Sequence, residues 1–337
     1  MLSRTINEYE VVLQMSSTSP FLVKEGRFRL LREDCGNPKN LPNDIPISRN
    51  SEGAIRQAMT LAGNGQIQKA TGELAGFQFF IPGASLRGAW RSWLERTLRS
   101  MEAPGHPKIC NPFAQAAGDP ERSCSKSLEK GANPYARSCP VCRLFGSTVQ
   151  AGRLDIGDAE IISGCVPTVQ VRDQVAINRV KGGVENLYQI YVLENATFEV
   201  KIRLRNFELV QIHLLGMIFS AVDRIAIGSG KGKGFGMFSH TYVSAKLRYF
   251  GTRPNDNRLR GIGEDPVWGE ELRARYRIQE RTSPELPAVD GEMWPEEGGN
   301  PYRFARSVEE TAFAQLWQGV DLGFDKIPTL STNRGQR

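Results

Sequence analysis

The chain has 337 residues, of which 40% are hydrophobic and 24% charged, enough to build a packed core and unlike a disordered chain. No apolar run approaches the roughly 20 residues of a membrane span, and Met1–Glu10 holds no apolar signal core. These features argue against membrane, secreted, collagen-like and coiled-coil classes. The net charge of +6 is uneven, with +9 over residues 1–250 and −3 over residues 251–337, and a basic body of this kind suits a polyanionic partner.

Residues 5–15 read as a strand, because Val11 and Leu13 alternate with Val12 and Gln14 after Tyr9. Residues 16–76 are irregular, and a loop that long inside a domain is usually functional or disordered. Phe77–Ile81 reads as a short strand and Pro82-Gly83 as a turn. Ser85 is placed to cap a helix that carries Leu86, Trp90, Trp93, Leu94 and Leu98 at helical spacing, with Arg87, Arg91, Arg96 and Arg99 between them. Residues 104–150 form a cysteine-bearing segment and Arg153–Ile162 a strand. Residues 172–192 read as irregular, with a bend at Gly182-Gly183. Phe198, Val200, Ile202 and Leu204 alternate as a strand. Glu208–Ile225 reads as a helix, Gly228–Gly236 is glycine-rich, and Phe238–Phe250 is a last strand. The order strand, helix, strand, strand, helix, strand fits an α+β fold with a ferredoxin-like core. After Phe250 the composition shifts to Pro, Gly, Glu and Arg, with one helix expected at Ser307–Gln318. This part reads as an extension rather than a second domain.

Four of the six cysteines, Cys110, Cys124, Cys139 and Cys142, fall within 33 residues; the others are Cys35 and Cys165. Without a signal segment a reducing compartment is expected, where clustered thiols favour a metal over disulfides. The Cys139-Pro140-Val141-Cys142 pair can turn both sulfurs to one tetrahedral ion. Cys110 and Cys124 complete a closed structural zinc set, and His106 is an alternative ligand. A redox dithiol is disfavoured because no thioredoxin-like pattern surrounds the pair. The glycine-rich stretch follows a helix and precedes a strand, the reverse of a nucleotide-binding loop. Its bare amides, with Lys231 and Lys233, can cradle phosphates. The start of the first helix offers unpaired amides to an anion, with Arg87 and Arg91 on the following turns. His213 and His240 sit in apolar contexts and read as packed or edge residues. Asp44, in an irregular segment, reads locally as a turn residue.

Taken together, these pieces resemble the RAMP superfamily, and more narrowly the backbone subunit of type III CRISPR effector complexes. Phe80-Ile81-Pro82-Gly83-Ala84-Ser85-Leu86-Arg87-Gly88 resembles the family's "IPGSSLKG" segment. Cys139-Pro140-Val141-Cys142-Arg143-Leu144-Phe145-Gly146 resembles its "CxxCxLFG" zinc segment. Val175–Gly182 is similar to its "IDRxTG" thumb start, and Gly228–Gly236 to its C-terminal glycine-rich loop. The matches occur in the family's order over residues 1–245.

The resemblance implies an RRM-like palm over residues 1–250, with a zinc-binding insertion at 104–146, a thumb hairpin at 172–195 and an extension at 251–337. It gives Asp44 a catalytic role, since Asp44, Pro46, Ile47 and Arg49 match a "D-x-P-I/V-x-R" context. Such an Asp acts as a general base on the 2′-hydroxyl or holds Mg or Mn near the scissile phosphate. It implies guide-RNA contacts from Ser85, Arg87, Arg91, Arg49, Arg179, Lys181, Lys231 and Lys233, and a wedge residue among Leu187, Tyr188 and Ile190. The implied partners are guide RNA, paired target RNA, further copies in a filament and other CRISPR effector subunits in the cytoplasm, with no membrane. The alternatives are a non-catalytic scaffold of the same family and a guide-maturing endoribonuclease. The latter usually needs a histidine base, and the three histidines lie away from the recognised motifs.

Overall fold

Strict alternation makes β1 (Asn7–Ser17) two-faced. Asn7, Tyr9, Val11, Leu13 and Met15 are buried, and the residues between them are half-exposed. A strand of this kind needs a packed layer on one side only. A computed structural model describes residues 4–24, 46–49, 57, 61, 64–66, 72–75, 77–102, 108–114, 123–127, 133–279, 282–286 and 293–320. After β1, the elements that build the body are β2 (Phe80–Ile81) and α1 (Gly83–Arg99). Three short helices follow: α2 (Cys124–Ser127), α3 (Pro134–Arg137) and α4 (Pro140–Phe145). The chain continues through β3 (Gly146–Ser147), β4 (Gln150–Ala151), β5 (Leu154–Ile156), β6 (Ala159–Ile161), β7 (Thr168–Ile177), β8 (Val184–Glu194) and β9 (Thr197–Arg205). It ends with α5 (Leu209–Phe219), β10 (Phe238–Phe250), α6 (Gly269–Tyr276), β11 (Arg303–Ser307) and α7 (Glu310–Gly319).

The main sheet has the order β11-β10-β1-β9-β6-β2, with β5 also paired to β9, and every pairing is antiparallel. Tyr9, Val11, Leu13 and Met15 on β1 share one core with Phe198, Val200, Ile202 and Leu204 on β9. Leu86, Trp90, Leu94 and Leu98 of α1 and Ile212, Leu215 and Phe219 of α5 complete it. Trp90 meets Phe219 edge-on, with ring centroids 6.3 Å apart. The mixed α and β content with antiparallel sheets agrees with the α+β expectation.

Several local expectations are corrected. The first helix begins at Gly83, with Pro82 at its cap position, so Ser85 lies in the first turn instead of capping it. Only glycine fits at residue 83, since an added Cβ would lie 2.2 Å from the Ile156 carbonyl oxygen. The strand expected over Arg153–Ile162 is two strands, β5 and β6, interrupted at Gly157-Asp158. The second helix ends at Phe219 and gives way to a 3₁₀ turn at Val222–Arg224. The stretch read as irregular is the long hairpin β7–β8, a separate two-stranded sheet.

The extension is built into the body. β11 pairs with β10 from Lys246↔Ser307 to Phe250↔Arg303, covering that edge of the sheet. Phe313 of α7 stacks on Tyr9, with ring centroids 5.1 Å apart. Gly216 on α5 is the socket for Trp317, and a Cβ there would lie 2.1 Å from the Trp317 Cγ. His213, read as a packed residue, meets the Trp317 ring edge-on.

Candidate metal centre and nucleic-acid interface

Cys110, Cys124, Cys139 and Cys142 converge from three places in one segment. Cys124 opens α2, Cys139 caps α4, and Cys142 lies in its first turn. Pro140 at the first helical position fixes the backbone there. The four sulfurs lie within 4.8 Å of one another and all four residues are buried. Cys110 and Cys142 sulfurs are 3.6 Å apart, and those of Cys139 and Cys110 are 3.7 Å apart. Zinc–sulfur bonds of about 2.3 Å in a tetrahedron place sulfurs about 3.8 Å apart, so the set fits that ion. None of the four is in a disulfide.

Hydrogen bonding, first from Cys110, pulls the Cys139 thiol down, while contacts led by Cys124 push Cys110 up and contacts led by Cys110 push Cys142 up. A divalent cation draws the protons off such a set, because thiolates are the ligand form. A zinc ion held by Cys110, Cys124, Cys139 and Cys142 would cross-link α2, α4 and the end of the α1 connection, with no coordination position left for substrate.

Three arginines of α1, Arg87, Arg91 and Arg99, turn toward this segment and its exit. Arg87 donates to the Leu154 carbonyl at 2.8 Å and to the Phe145 carbonyl, and burial pulls its guanidinium below the usual range. Arg91 donates to Glu95 Oε1 at 2.8 Å, to the Gly146 carbonyl at 2.9 Å and to Cys142 Sγ at 3.3 Å. Arg99 donates to the Cys110 carbonyl at 3.2 Å. Arg87 and Arg91, expected as guide-RNA contacts, thus turn their forks to the fold itself. The start of α1 is filled too. Asp158 Oδ1 accepts the Gly83 N–H at 2.8 Å, and its other oxygen pairs with Arg49 at 2.7 Å. Arg49 also pairs with Glu160 and lies over the Phe80 ring at 4.1 Å. Its contacts are therefore to this chain's own sheet edge.

A second basic group is open. The glycine-rich loop folds around a 3₁₀ turn at Lys231–Lys233, where both lysines are exposed. Gly228 has φ +89° with a virtual Cβ 2.4 Å from the Leu22 carbonyl oxygen, and Gly236 has φ +82° with one 2.1 Å from the Ile227 carbonyl oxygen. No side chain fits at either position. Lys233 Nζ donates to Gln174 Oε1 on β7, so the loop lies against the hairpin. Arg179 and Lys181 are exposed at the hairpin tip. Four apolar residues pair across the distal strands, Val175 with Leu187 and Ile177 with Val184, and all are more than half exposed.

The RAMP superfamily model matches residues 18–239. The chain belongs to the RAMP superfamily. No curated protein matches it. As a RAMP protein it is read as a CRISPR-associated RNA-binding protein.

In this RAMP chain Asp44, the catalytic candidate, lies outside the described residues, as does His106. Among the described residues the four cysteines are the only group of three or more His, Cys, Asp or Glu side chains placed to hold a metal. Ser85 is half-exposed in the first turn of α1. Ile190 is corrected as a wedge, because it is buried with Leu22 and Val192 at the hairpin base. Leu187 remains exposed. Sequence reading missed Asp158, Glu95 and Arg99. The last two carry a visible signal, since Arg91, Glu95 and Arg99 are spaced by four and share one helix face. No helix among the described residues is long and apolar enough to cross a membrane.

Proposed function

We propose that this RAMP protein is a backbone subunit of a type III CRISPR effector complex. In this reading it grips guide RNA by its phosphates and presents the paired target RNA to Asp44 for cleavage. The observation that carries the reading is the open basic group, in which Lys231 and Lys233 on a glycine loop lie against a hairpin tipped by Arg179 and Lys181. Phosphate contacts of this kind position RNA without reading its sequence, and guide–target pairing then supplies specificity, as in other RNA-guided systems.

The strand order β10-β1-β9-β5 with α1 and α5 on one core supports a ferredoxin-like palm over residues 1–250. The hairpin within 172–195 is the proposed thumb, the cysteine segment 104–146 the zinc insertion, and 251–337 the extension. Val175, Ile177, Val184 and Leu187 form an apolar face too exposed for an isolated hairpin. In a filament of copies, a heterologous contact, that face is covered by the RNA duplex or the next subunit. Asp44 acts as general base on the 2′-hydroxyl, which predicts cleavage of RNA and none of DNA. The setting is a cytoplasmic ribonucleoprotein with other effector subunits.

The test is target-RNA cleavage by the reconstituted guide complex in Mg²⁺ or Mn²⁺, wild type beside Asp44→Ala, with guide and target binding measured in both. Loss of cleavage with binding retained is expected. Equal cleavage by both removes Asp44 from the chemistry, and binding without cleavage in the wild type makes the subunit a scaffold.

A further inference from the structure

A zinc ion with four thiolates carries a net charge of −2, and Cys110, Cys124, Cys139 and Cys142 are each no more than 2% exposed. Water cannot solvate that charge, so the protein must. Two backbone donors reach the sulfurs, from Cys139 to Cys124 and from Cys142 to Cys139, both at 3.4 Å. The cationic donor is Arg91, whose Nη2 lies 3.3 Å from Cys142 Sγ. Its remaining donors are fixed by Glu95 and by the Gly146 carbonyl at the exit of α4. Glu95 also faces Arg99 at 3.6 Å, and Arg99 holds the Cys110 carbonyl at 3.2 Å.

We propose that the Arg91–Glu95–Arg99 file of α1 is the outer layer of the metal centre. Arg91 neutralises the thiolate charge at Cys142, and Arg99 orients the Cys110 backbone through its carbonyl. The file therefore sets how tightly zinc is held and joins α1 to the cysteine segment. Arg91 is a positioning residue in this sense, and the inference rests on the zinc reading. Arg96 belongs to the same helix but bonds only to its own turn, at the Ser92 carbonyl, which makes it the control.

The experiment uses the full chain. Metal content of the purified wild type is measured first. One zinc per chain establishes the zinc reading, and none refutes that reading along with this one. Zinc is then titrated out with a chromophoric chelator from wild type, Arg91→Met, Arg99→Met and Arg96→Met. Loss of an outer-layer partner typically weakens metal binding about 10–100-fold, and a loss in that range is expected for Arg91→Met. A smaller loss is expected for Arg99→Met and none for Arg96→Met. In the cobalt-substituted protein, removing the cationic N–H donor from sulfur raises the energy of its lone pairs. The sulfur-to-metal charge-transfer band of Arg91→Met is therefore expected to move to longer wavelength, which a purely structural role would not cause. Unchanged affinity and an unmoved band overturn the proposal while leaving the zinc reading standing. Should Arg91→Met fail to fold, Arg91→Lys carries the same test. It keeps the charge but has no fork to span Cys142 Sγ and the Gly146 carbonyl, so an intermediate affinity loss is expected and a wild-type value overturns the proposal.

Discussion

Arg248 is the most heavily used cation on the helix-free face of the sheet, and replacing it by methionine gives a worked prediction. Its guanidinium meets Glu8 at 2.9 Å and Glu10 at 3.3 Å on β1, and Glu297 of the extension at 2.8 Å. The arginine side chain is 9% exposed and the glutamates 14–20%, so the network is shielded without being dry. Truncating one partner of a buried pair costs about 3–5 kcal/mol when the other charge is abandoned. Here no carboxylate is abandoned. Glu8 keeps Arg205, Glu10 keeps Lys201 and Arg203, and Glu297 keeps Lys246 and Arg303. The expected loss for Arg248→Met is therefore lower, about 2–3 kcal/mol, which in a chain of this length corresponds to a fall in Tm of about 3–4 °C. The pH dependence has a definite sign. Although burial raises it, the bonds to Arg203 and Lys201 and the charge of Arg248 hold the Glu10 carboxyl down to about 2. A depressed acid contributes stability above its unfolded value near 4.5, and that contribution is lost as pH falls toward 2. The difference between wild type and Arg248→Met is thus full at pH 7 and shrinks through that acid window. Paired thermal melts at several pH values check it. A Tm shift below 1 °C at pH 7, or one that does not shrink in acid, refutes the reasoning.

Burial, and then the neighbouring Glu208 charge, push the Glu264 carboxyl up to about 7. The native state then holds a proton that the unfolded chain releases near 4.5, so stability falls as pH rises from 4.5 through 7. Glu264→Gln is expected to stabilise the fold at pH 8 by on the order of 3 kcal/mol, seen as a higher Tm, and to change little at pH 4.5; equal effects at both pH values refute it. Gly216→Ala is expected to displace Trp317 and cost about 1–3 kcal/mol by overpacking, visible as a red shift in tryptophan emission and a lower Tm. Because the clash is with one ring, Gly216→Ala with Trp317→Ala should lose less than the two single losses added, and strict additivity would argue against the socket.

What was legible in the sequence follows from local periodicity. Alternation at Phe198, Val200, Ile202 and Leu204 gave the strand, and Leu86, Trp90, Leu94 and Leu98 gave the helix. The clustered thiols gave the metal set, because a two-residue spacing constrains the chain enough to aim both sulfurs. The hairpin β7–β8 was hidden from pattern reading because its distal half is apolar on the exposed side. Alternation reports burial, and where nothing among the described residues buries that face the period carries no sign of it. The split between β5 and β6 was hidden for a different reason: Asp158, in the interruption, accepts the Gly83 N–H, a contact 75 residues away in sequence that no local pattern reports.

The arginines of α1 show where such reading stops. Leu86, Trp90, Leu94 and Leu98 are fully buried and are spaced by four. Arg87, Arg91, Glu95 and Arg99 repeat that spacing one residue later, about 100° around the helix. A file so placed lies on the flank of the buried stripe, at the boundary between core and solvent. Whether it faces water, RNA or protein is decided by which element packs beside it. In this chain that element is the cysteine segment, brought there by α4 and its exit at Gly146. Hence three arginines that look like an open basic face are turned to carbonyls and a thiol sulfur, whereas Arg96, further around the helix, bonds only within its own turn. The exposed basic group lies instead on the glycine loop and the hairpin tip. There Lys231, Lys233, Arg179 and Lys181 are exposed on turns, with Lys233 reaching Gln174 of the hairpin.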